Sequence, residues 1–469
     1  MAQIKTDLCV IGAGSGGLSL VAGAQQMGAD CVLVEGAEMG GDCLNTGCVP
    51  SKALLAAAKI AQSRRDGTGF GVQPVEPVVD FGAAHAHVQR VIAQIAPVDS
   101  QQRFEGLGVR VLRAWGSFLS PNQLQAGDDV ITARRFVIAT GSHPVVPDLP
   151  GLTDIPFLTN ETIFTLTRRP GHLIILGGGP IGIEMAQAHR RLGSEVTVIA
   201  RSRILGRDDP DAVALVRERL RDEGVNILEN TGVAAICGDV TVALSDGTQI
   251  KGSHLLLALG RTPALARLNL SAARVATTPN GVKVDGRLRS SNRRIFAIGD
   301  VAGGRQFTHV AGYHAGIVLR QVVLGLPARE RTDHIPTVTY CDPELAQIGP
   351  TEAEARHLHG DRITVTRADY HHNDRAITQA RGAGFLKLVT LNGRPIGVTI
   401  VGHDAGELIG VWSLAISQRL KLSAIAGMVA PYPTLGELSK RAAGAYFSPK
   451  IFANPVLRQF VRVVQDWLP

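Results

Sequence analysis

The chain is poor in cysteine, with six in 469 residues, far too few to staple a protein of this length. A disulfide scaffold is excluded and a reducing cytosol is the expected setting. Aromatic residues make up only 4%, and the basic residues are scattered along the chain. The net charge of +7 therefore reads as attraction for anionic cofactors and as solubility, not as a nucleic-acid-binding face. No apolar run reaches the roughly 18 residues needed to cross a bilayer, because glycines and charges interrupt every candidate. Low-complexity segments are lacking, and so is any spacing of cysteine, histidine and acid that reads as a metal centre. The opening Met1-Ala2-Gln3-Ile4-Lys5 leads straight into a strand with no signal-peptide pattern, so a cytoplasmic location is expected.

Glycine, in contrast, is abundant. There are 53, in a chain that is 45% hydrophobic and 19% charged. They follow no three-residue period, which excludes a collagen-like helix, and point to buried strands with tight backbone approaches to ligands. The length suits about two to four domains. An internal echo organises them: Asp7-Leu8-Cys9-Val10-Ile11-Gly12-Ala13-Gly14-Ser15-Gly16-Gly17 is matched by Leu173-Ile174-Ile175-Leu176-Gly177-Gly178-Gly179-Pro180-Ile181-Gly182. Each is a short apolar run, a glycine turn and an alanine-rich helical stretch, the setting a dinucleotide site requires.

Between and beyond these repeats the pattern predicts helices over 18–27, about 50–63, 83–95 and 312–324, with a loop at 67–82 rich in glycine and proline. Prolines 144, 147 and 150 mark a linker. The chain is accordingly read as a first unit over 1–150, completed by about 276–336, a second over 151–275, and a third over 337–469. In the third, strand-like runs at 363–367, 385–391 and 395–401 precede helices at 405–418 and 435–443, an α+β pattern. The fold class is α/β: two Rossmann-like dinucleotide-binding domains and a C-terminal α+β domain.

In the first motif Gly12 makes the turn, Gly14 lets the backbone approach a pyrophosphate, and Gly17 lets helix and sheet pack closely. Glu35 lies 23 residues after Gly12, at a strand end, where its carboxylate can hold ribose hydroxyls. The second motif repeats these roles with Gly177, Gly179 and Gly182. At the corresponding offset it has Ala200, followed by Arg201 and Arg203. A missing carboxylate with guanidinium groups beside it suits a ribose 2′-phosphate and thus NADPH over NADH.

The segment Gly40-Gly41-Asp42-Cys43-Leu44-Asn45-Thr46-Gly47-Cys48-Val49-Pro50-Ser51-Lys52 carries two cysteines five apart. On a regular helix they would diverge by about 140°, so bridging them needs an irregular turn, which Asn45-Thr46-Gly47 can supply. A helix starting near Pro50 would lower a thiol pKa at its N-terminus. Cys9 and Cys31 fall on apolar strands and read as small core residues.

This segment resembles the active site of the pyridine nucleotide-disulfide oxidoreductases, the family of glutathione reductase, lipoamide dehydrogenase and mercuric reductase. The resemblance extends through both glycine motifs, Ala139-Thr140-Gly141-Ser142, Ala258-Leu259-Gly260-Arg261-Thr262-Pro263, Ile298-Gly299-Asp300 and a C-terminal Pro-Thr-x-x-Glu. It implies FAD at the first site, contacted by Gly12, Gly14, Gly17, Glu35, Thr140, Gly141, Gly260 and Asp300, and NADPH or NADH at the second. It further implies a redox disulfide between Cys43 and Cys48, with Cys48 facing the flavin and Cys43 exchanging with substrate. Lys52 would pair with Glu184 near the flavin, and the helix N-terminus at Thr308 and His309 would face it, with His309 equally readable as a packed histidine. A homodimer would bring Tyr432 and Glu437 to the dithiol of the second subunit.

Two departures bear on the acceptor. Disulfide-reducing members carry His-Pro-Thr-x-x-Glu, whereas this chain has Tyr432-Pro433-Thr434-Leu435-Gly436-Glu437, and a phenol is a poor base at neutral pH. Mercuric reductases share the tyrosine and the Ala-Arg-Ser stretch, but they deliver metal through a C-terminal cysteine pair, and here no cysteine follows Cys341. The leading reading is reduction of a small disulfide, thiol-bound metal or related electrophile. The alternatives are a dihydrolipoyl dehydrogenase variant, a mercuric-reductase-like metal reductase, and a redox-sensing or electron-relay flavoprotein. Beyond Pro455 the apolar residues recur at three and four, as on one face of a helix. Packing of that face on its own domain or across the dimer is the expectation, with weak contact to an anionic membrane surface as the alternative.

Overall fold

The computed structural model describes residues 2–468. A mixed, mostly parallel sheet, an all-parallel sheet and an antiparallel sheet account for the expected α/β class with its C-terminal α+β unit. The first sheet centres on Gln3–Ile11, flanked in parallel by Cys31–Val34 and by Asp129–Ile138. Cys9 and Cys31 are fully buried there, as their place on apolar strands predicts. Ile295–Ala297 returns from far along the chain to pair with Asp129–Ile138, Phe296 opposite Val137. An antiparallel pair, Ser142–Pro144 with Arg261–Pro263, carries the chain out of this layer and back. The prolines of the linker sit at and beyond this pair, where no central ladder needs their missing N–H groups.

The second sheet repeats the device in the order Asn226–Leu228, Glu195–Ile199, His172–Leu176, His254–Leu257, all parallel. The third is a five-stranded antiparallel sheet in the order Pro336–Thr339, Glu344–Ile348, Arg394–Gly402, Phe385–Leu391, Ile363–Asp369. Helices Ala405–Ser417 and Glu437–Phe452 belong to the same core. Trp412 is fully buried between them and donates its indole N–H to Ser439 Oγ at 3.0 Å.

Element ends differ from the sequence expectation in a consistent way. The first helix is Ser15–Gln26, the redox helix Cys48–Arg65 and a later one Thr308–Val322. Each begins two to four residues early, the added residues being Ser15-Gly16-Gly17, Cys48-Val49 and Thr308-His309-Val310-Ala311. Pro50 is accordingly the third residue of its helix, still within the turn whose N–H groups have no intrahelical partner. The terminal helix, Pro455–Trp467, has no buried residue. Packing on its own domain, one form of the expectation, is therefore not found.

The two glycine turns are near copies. Gly12 and Gly177 take φ of +110° and +118°, open to glycine alone at little cost. A Cβ at Gly17 would meet the Gly12 carbonyl, and one at Gly182 the Gly177 carbonyl, while one at Gly14 or Gly179 would meet nothing within 4 Å. Gly17→Ala and Gly182→Ala are therefore expected to destabilise the fold by about 1–3 kcal/mol and to lower the melting temperature, whereas Gly14→Ala should leave it close to wild type. Equal melting temperatures for Gly14→Ala and Gly17→Ala would contradict this assignment of roles.

Candidate active site

The cysteine segment is two helices with a break between them. Cys43 lies in the short helix Gly41–Asn45, the chain leaves it through Thr46 and Gly47, and Cys48 opens the helix Cys48–Arg65. Gly47 has φ −124° and ψ −112°, so neither helix runs through, and the two thiols face each other. Asn45 holds the break by donating from Nδ2 to the Met39 and Gly41 carbonyls at 3.0 and 2.8 Å, and Thr46 Oγ1 donates to Asp42 Oδ1 at 2.8 Å.

The thiols are electrostatically unequal. Cys48 is lowered to about 6, first because Cys43 donates a hydrogen bond to it, then through the Thr308 hydroxyl and the charge of Lys52, against the opposing effect of burial. Cys48 Sγ and Thr308 Oγ1 are 3.4 Å apart. Cys43 moves strongly upward because its proton is held against Cys48 and it is partly buried. In the reduced pair, then, Cys48 is the thiolate and Cys43 the proton carrier.

Lys52, one turn beyond Cys48, reaches Glu184 Oε2 with its Nζ at 2.7 Å and lies 4.5 Å from the centroid of the Tyr340 ring. Glu184 is 4% exposed, on the helix Pro180–Arg191 that follows the second glycine turn. Its other oxygen accepts from the Tyr340 backbone N–H at 2.9 Å. One carboxylate thus ties the redox helix, the second nucleotide-binding unit and the C-terminal unit together.

The residues of the first glycine site fit a dinucleotide. Helix Ser15–Gln26 has Gly14 as N-cap and no side-chain cap, so its first N–H groups are free for a phosphate, and the space around Gly14 is open. Glu35 accepts from the N–H groups of Ala13 and Ala37 at 2.5 and 2.7 Å, which fixes its carboxylate beside the turn with acceptor capacity left over. Asp300 Oδ2 accepts from Ser142 Oγ at 2.5 Å, and burial raises its pKa. Thr140 Oγ1 donates to the Ala264 carbonyl at 2.8 Å. Gly141 and Gly260 take positive φ with open space around them.

At the second site the N-cap is Gly179, again without a side-chain cap. Ala200 is buried at the strand end, while Arg201 and Arg203 are exposed beyond it; Arg203 donates to the Gly206 carbonyl at 3.3 Å. His309 makes no hydrogen bond to the cysteine segment: it is exposed, its Nε2 is 2.9 Å from the Pro336 carbonyl and its ring stacks on Phe307.

Tyr432 and Glu437 are not joined to the dithiol by any hydrogen bond within one chain. The Tyr432 hydroxyl is exposed and donates to Asp374 Oδ2 at 2.8 Å. That hydrogen bond, with the carboxylate charge, raises its pKa further and reinforces its unsuitability as a base. Glu437 Oε2 is buried without a hydrogen-bond partner among the described residues. The expectation of no metal-ligand cluster meets one grouping, Asp369, His371 and His372, whose ligand atoms lie within 4.8 Å of one another. Asp369 there is already paired with Arg367 at 2.6 Å.

Sequence reasoning passed over Tyr340, Asp42 and Arg261. Arg261 approaches Asp42 at 3.3 Å and Asp300 at 3.8 Å and donates to Ser142 Oγ at 2.7 Å, so it joins the short helix that carries Cys43 to the Asp300 carboxylate. Asn160 also donates to Asp42, at 2.8 Å. Asp42 and Arg261 stood inside the recognised motifs. Tyr340 carried no signal, since its place depends on how the third unit docks.

The description "Pyridine nucleotide-disulphide oxidoreductase" belongs to the family model matching residues 6–315, and that family's dimerisation domain matches residues 335–443. A mercuric reductase of Streptomyces lividans is 33% identical, covering 94% of this chain and 96% of that protein. A dihydrolipoyl dehydrogenase of Bacillus subtilis is 30% identical over 92% of this chain and 96% of its own length. Among solved structures, the HOCl-induced flavoprotein disulfide reductase RclA from Escherichia coli superposes with a TM-score of 0.84 at 28% identity, over 93% of this chain and 99% of that one.

The unequal thiols generate a pH dependence. Alkylation of the reduced protein should rise as pH increases through about 6, where Cys48 becomes thiolate. Cys43→Ala removes the donated hydrogen bond and should move that rise upward by about a unit or more, and Lys52→Met should move it in the same direction. An alkylation profile that Cys43→Ala leaves in place would show that the two thiols do not share a proton.

Proposed function

The chain belongs to the pyridine nucleotide-disulfide oxidoreductase family, and from that premise we propose that it oxidises NADPH in preference to NADH and passes the electrons through FAD to the Cys43–Cys48 disulfide. The family binds FAD and uses a pyridine nucleotide, and the dimerisation-domain match supports a homodimer. The observation that carries the reading is the Lys52–Glu184 pair at 2.7 Å, which sets the thiolate-bearing helix directly against the helix of the second nucleotide turn.

When bound, the flavin relays two electrons between nicotinamide and disulfide. The protein's part begins once the Cys43–Cys48 bond has accepted those two electrons and one proton. Cys43 S–H then hydrogen-bonds to the Cys48 thiolate, which Lys52 and Thr308 stabilise. Cys43 attacks the acceptor and its proton passes to the departing sulfur: for a small disulfide, a mixed disulfide forms and the first half leaves as a thiol. The Cys48 thiolate then attacks the Cys43 sulfur, restoring the intramolecular bond and releasing the second half as a thiolate. Tyr432, held by Asp374 and hard to deprotonate, offers a proton or hydrogen bond, with Glu437 beside it, to the dithiol of the second subunit. The absence of a histidine base there favours acceptors whose leaving group needs little proton assistance, such as a thiol-bound metal or another electrophile. Relatives named mercuric reductase and a Cu(II) complex of RclA lend support to that acceptor class.

On this reading 1–150 with about 276–336 is the FAD-binding domain, 151–275 the NADPH-binding domain and 337–469 the interface domain. The low cysteine usage supports a cytoplasmic location. The partners are a second copy of the chain, a small-molecule acceptor and, weakly, a membrane surface reached by the C-terminal tail.

Anaerobic titration of the flavin-loaded protein with NADPH tests the route. A long-wavelength absorbance band, which needs a thiolate against the flavin, should appear at two electrons per flavin and be lost in Cys48→Ser; a band that survives that substitution removes Cys48 from the role. Arg201→Glu should weaken NADPH by about tenfold or more, the scale of a charge-assisted hydrogen bond, and leave NADH nearly unchanged. Equal losses for both nucleotides would remove the 2′-phosphate assignment.

A further inference from the structure

Helix Pro455–Trp467 follows the last helix of the interface domain after only two residues, Ala453 and Asn454. Asn454 caps it by accepting from the Val456 and Leu457 N–H groups at 3.0 and 3.2 Å, and Pro455 occupies its first position. The chain thus specifies a helix start at this point. Thirteen residues are nevertheless marginal for an isolated helix in water, so what stabilises this one is a surface for its apolar face. That face is open: Trp467 is 85% and Val456 74% exposed.

At about 100° per residue, the apolar side chains fill one arc of about 160°, with Phe460 and Val464 about its middle, Trp467 beside Phe460, and Val463 and Val461 at its edges. Arg458, Gln459, Arg462, Gln465 and Asp466 fill the rest. A two-helix seam would use Leu457, Phe460, Val464 and Trp467 and leave Val456, Val461 and Val463 in water. Sustained coiled coils, moreover, need about three to four heptads, and this helix has fewer than two. An arc this wide is matched by a plane. No described helix is long and apolar enough to cross a membrane, so the plane is lain upon and not crossed. Lys450, Arg458 and Arg462 against the single Asp466 give the segment a net positive charge beside the apolar arc. Lys450 lies over the Tyr446 ring.

We propose that Pro455–Trp467 is an interfacial foot that lies on an anionic lipid surface, with Phe460 and Trp467 buried among the acyl chains and Arg458 and Arg462 at the headgroups. This deepens the membrane-surface contact named above and rests on the homodimer, which presents two such feet and so gains from bivalent attachment. The consequence is an oxidoreductase held at the bilayer surface, with access to electrophiles that partition there.

The test uses the full-length, flavin-loaded protein and vesicles of phosphatidylcholine with or without phosphatidylglycerol. Co-sedimentation with the anionic vesicles should exceed that with neutral ones by about tenfold or more and fall with added salt. Phe460→Ser/Trp467→Ser should abolish it, Arg458→Glu/Arg462→Glu should remove the anionic preference, and a chain ending at Ala453 should stay dimeric in the supernatant. A full-length protein that ignores anionic vesicles overturns the proposal. So does a truncated chain that becomes monomeric while the full chain does not sediment, which would make the helix a contact between copies. Flavin absorbance and NADPH oxidation on the same samples report separately on the oxidoreductase reading: their loss with vesicle binding intact would count against that reading alone.

Discussion

Glu184 is the contact on which the site depends. It is almost wholly buried, it stands on the helix that receives the second nucleotide, and its two oxygens are taken by Lys52 of the redox helix and by the Tyr340 N–H of the third unit. A buried carboxylate without partners would be costly, and an ion pair in such a place adds little net stability over well-packed apolar groups. Its value lies in position. The pair holds Lys52 where its charge reaches Cys48, and Glu184 has both its partners only when all three units are docked. The apolar cluster around it tells the same story, joining Ala53 and Leu54 of the redox helix, Ile183 and Met185 of the Glu184 helix, and Phe385 and Val401 of the antiparallel sheet.

The two nucleotide sites show one backbone device serving different ligands. Both helices start from a glycine N-cap with nearly the same extended geometry, φ −78° and ψ 179° at Gly14 and φ −79° and ψ 178° at Gly179. Neither has a side-chain cap, so each leaves N–H groups for phosphate. The difference lies at the end of the next strand. Glu35 is locked by two backbone N–H donors, whereas the second strand ends in buried Ala200 followed by exposed arginines. On the proposed reading, discrimination between nucleotides is thus separated from the fold, in side chains at a strand end that no packing requirement dictates.

Around the dithiol, polar groups converge from distant parts of the chain. Arg261 spans Asp42 and Asp300, and Thr308 reaches Cys48 from the start of a helix 260 residues away. The hydrogen bond between the two thiols, with Thr308 and Lys52 beside Cys48, makes the two sulfurs chemically different, which a reversible dithiol needs if one sulfur is to hold the negative charge while the other exchanges.

The sequence by itself determined what local chemistry dictates. Glycine spacing after an apolar strand fixes a turn whatever surrounds it, because positive φ at Gly12 and Gly177 and the close carbonyl behind Gly17 and Gly182 are backbone constraints. The break between Cys43 and Cys48 was legible for the same reason, and the Lys52–Glu184 pair through the resemblance that the motifs carry. Only the tertiary structure decided the rest. Tyr340 reaches Glu184 because the third unit docks there, and Arg261 bridges two carboxylates because a linker strand pairs with Ser142–Pro144. Helix starts lay earlier than apolar periodicity marked, since what packs on a first turn, as on the buried Gly16, is supplied by distant parts of the chain. The terminal helix reads from sequence as amphipathic, but periodicity says only that a face is apolar. Whether that face meets its own domain is a question of where the chain has been carried, and here it points away from the core.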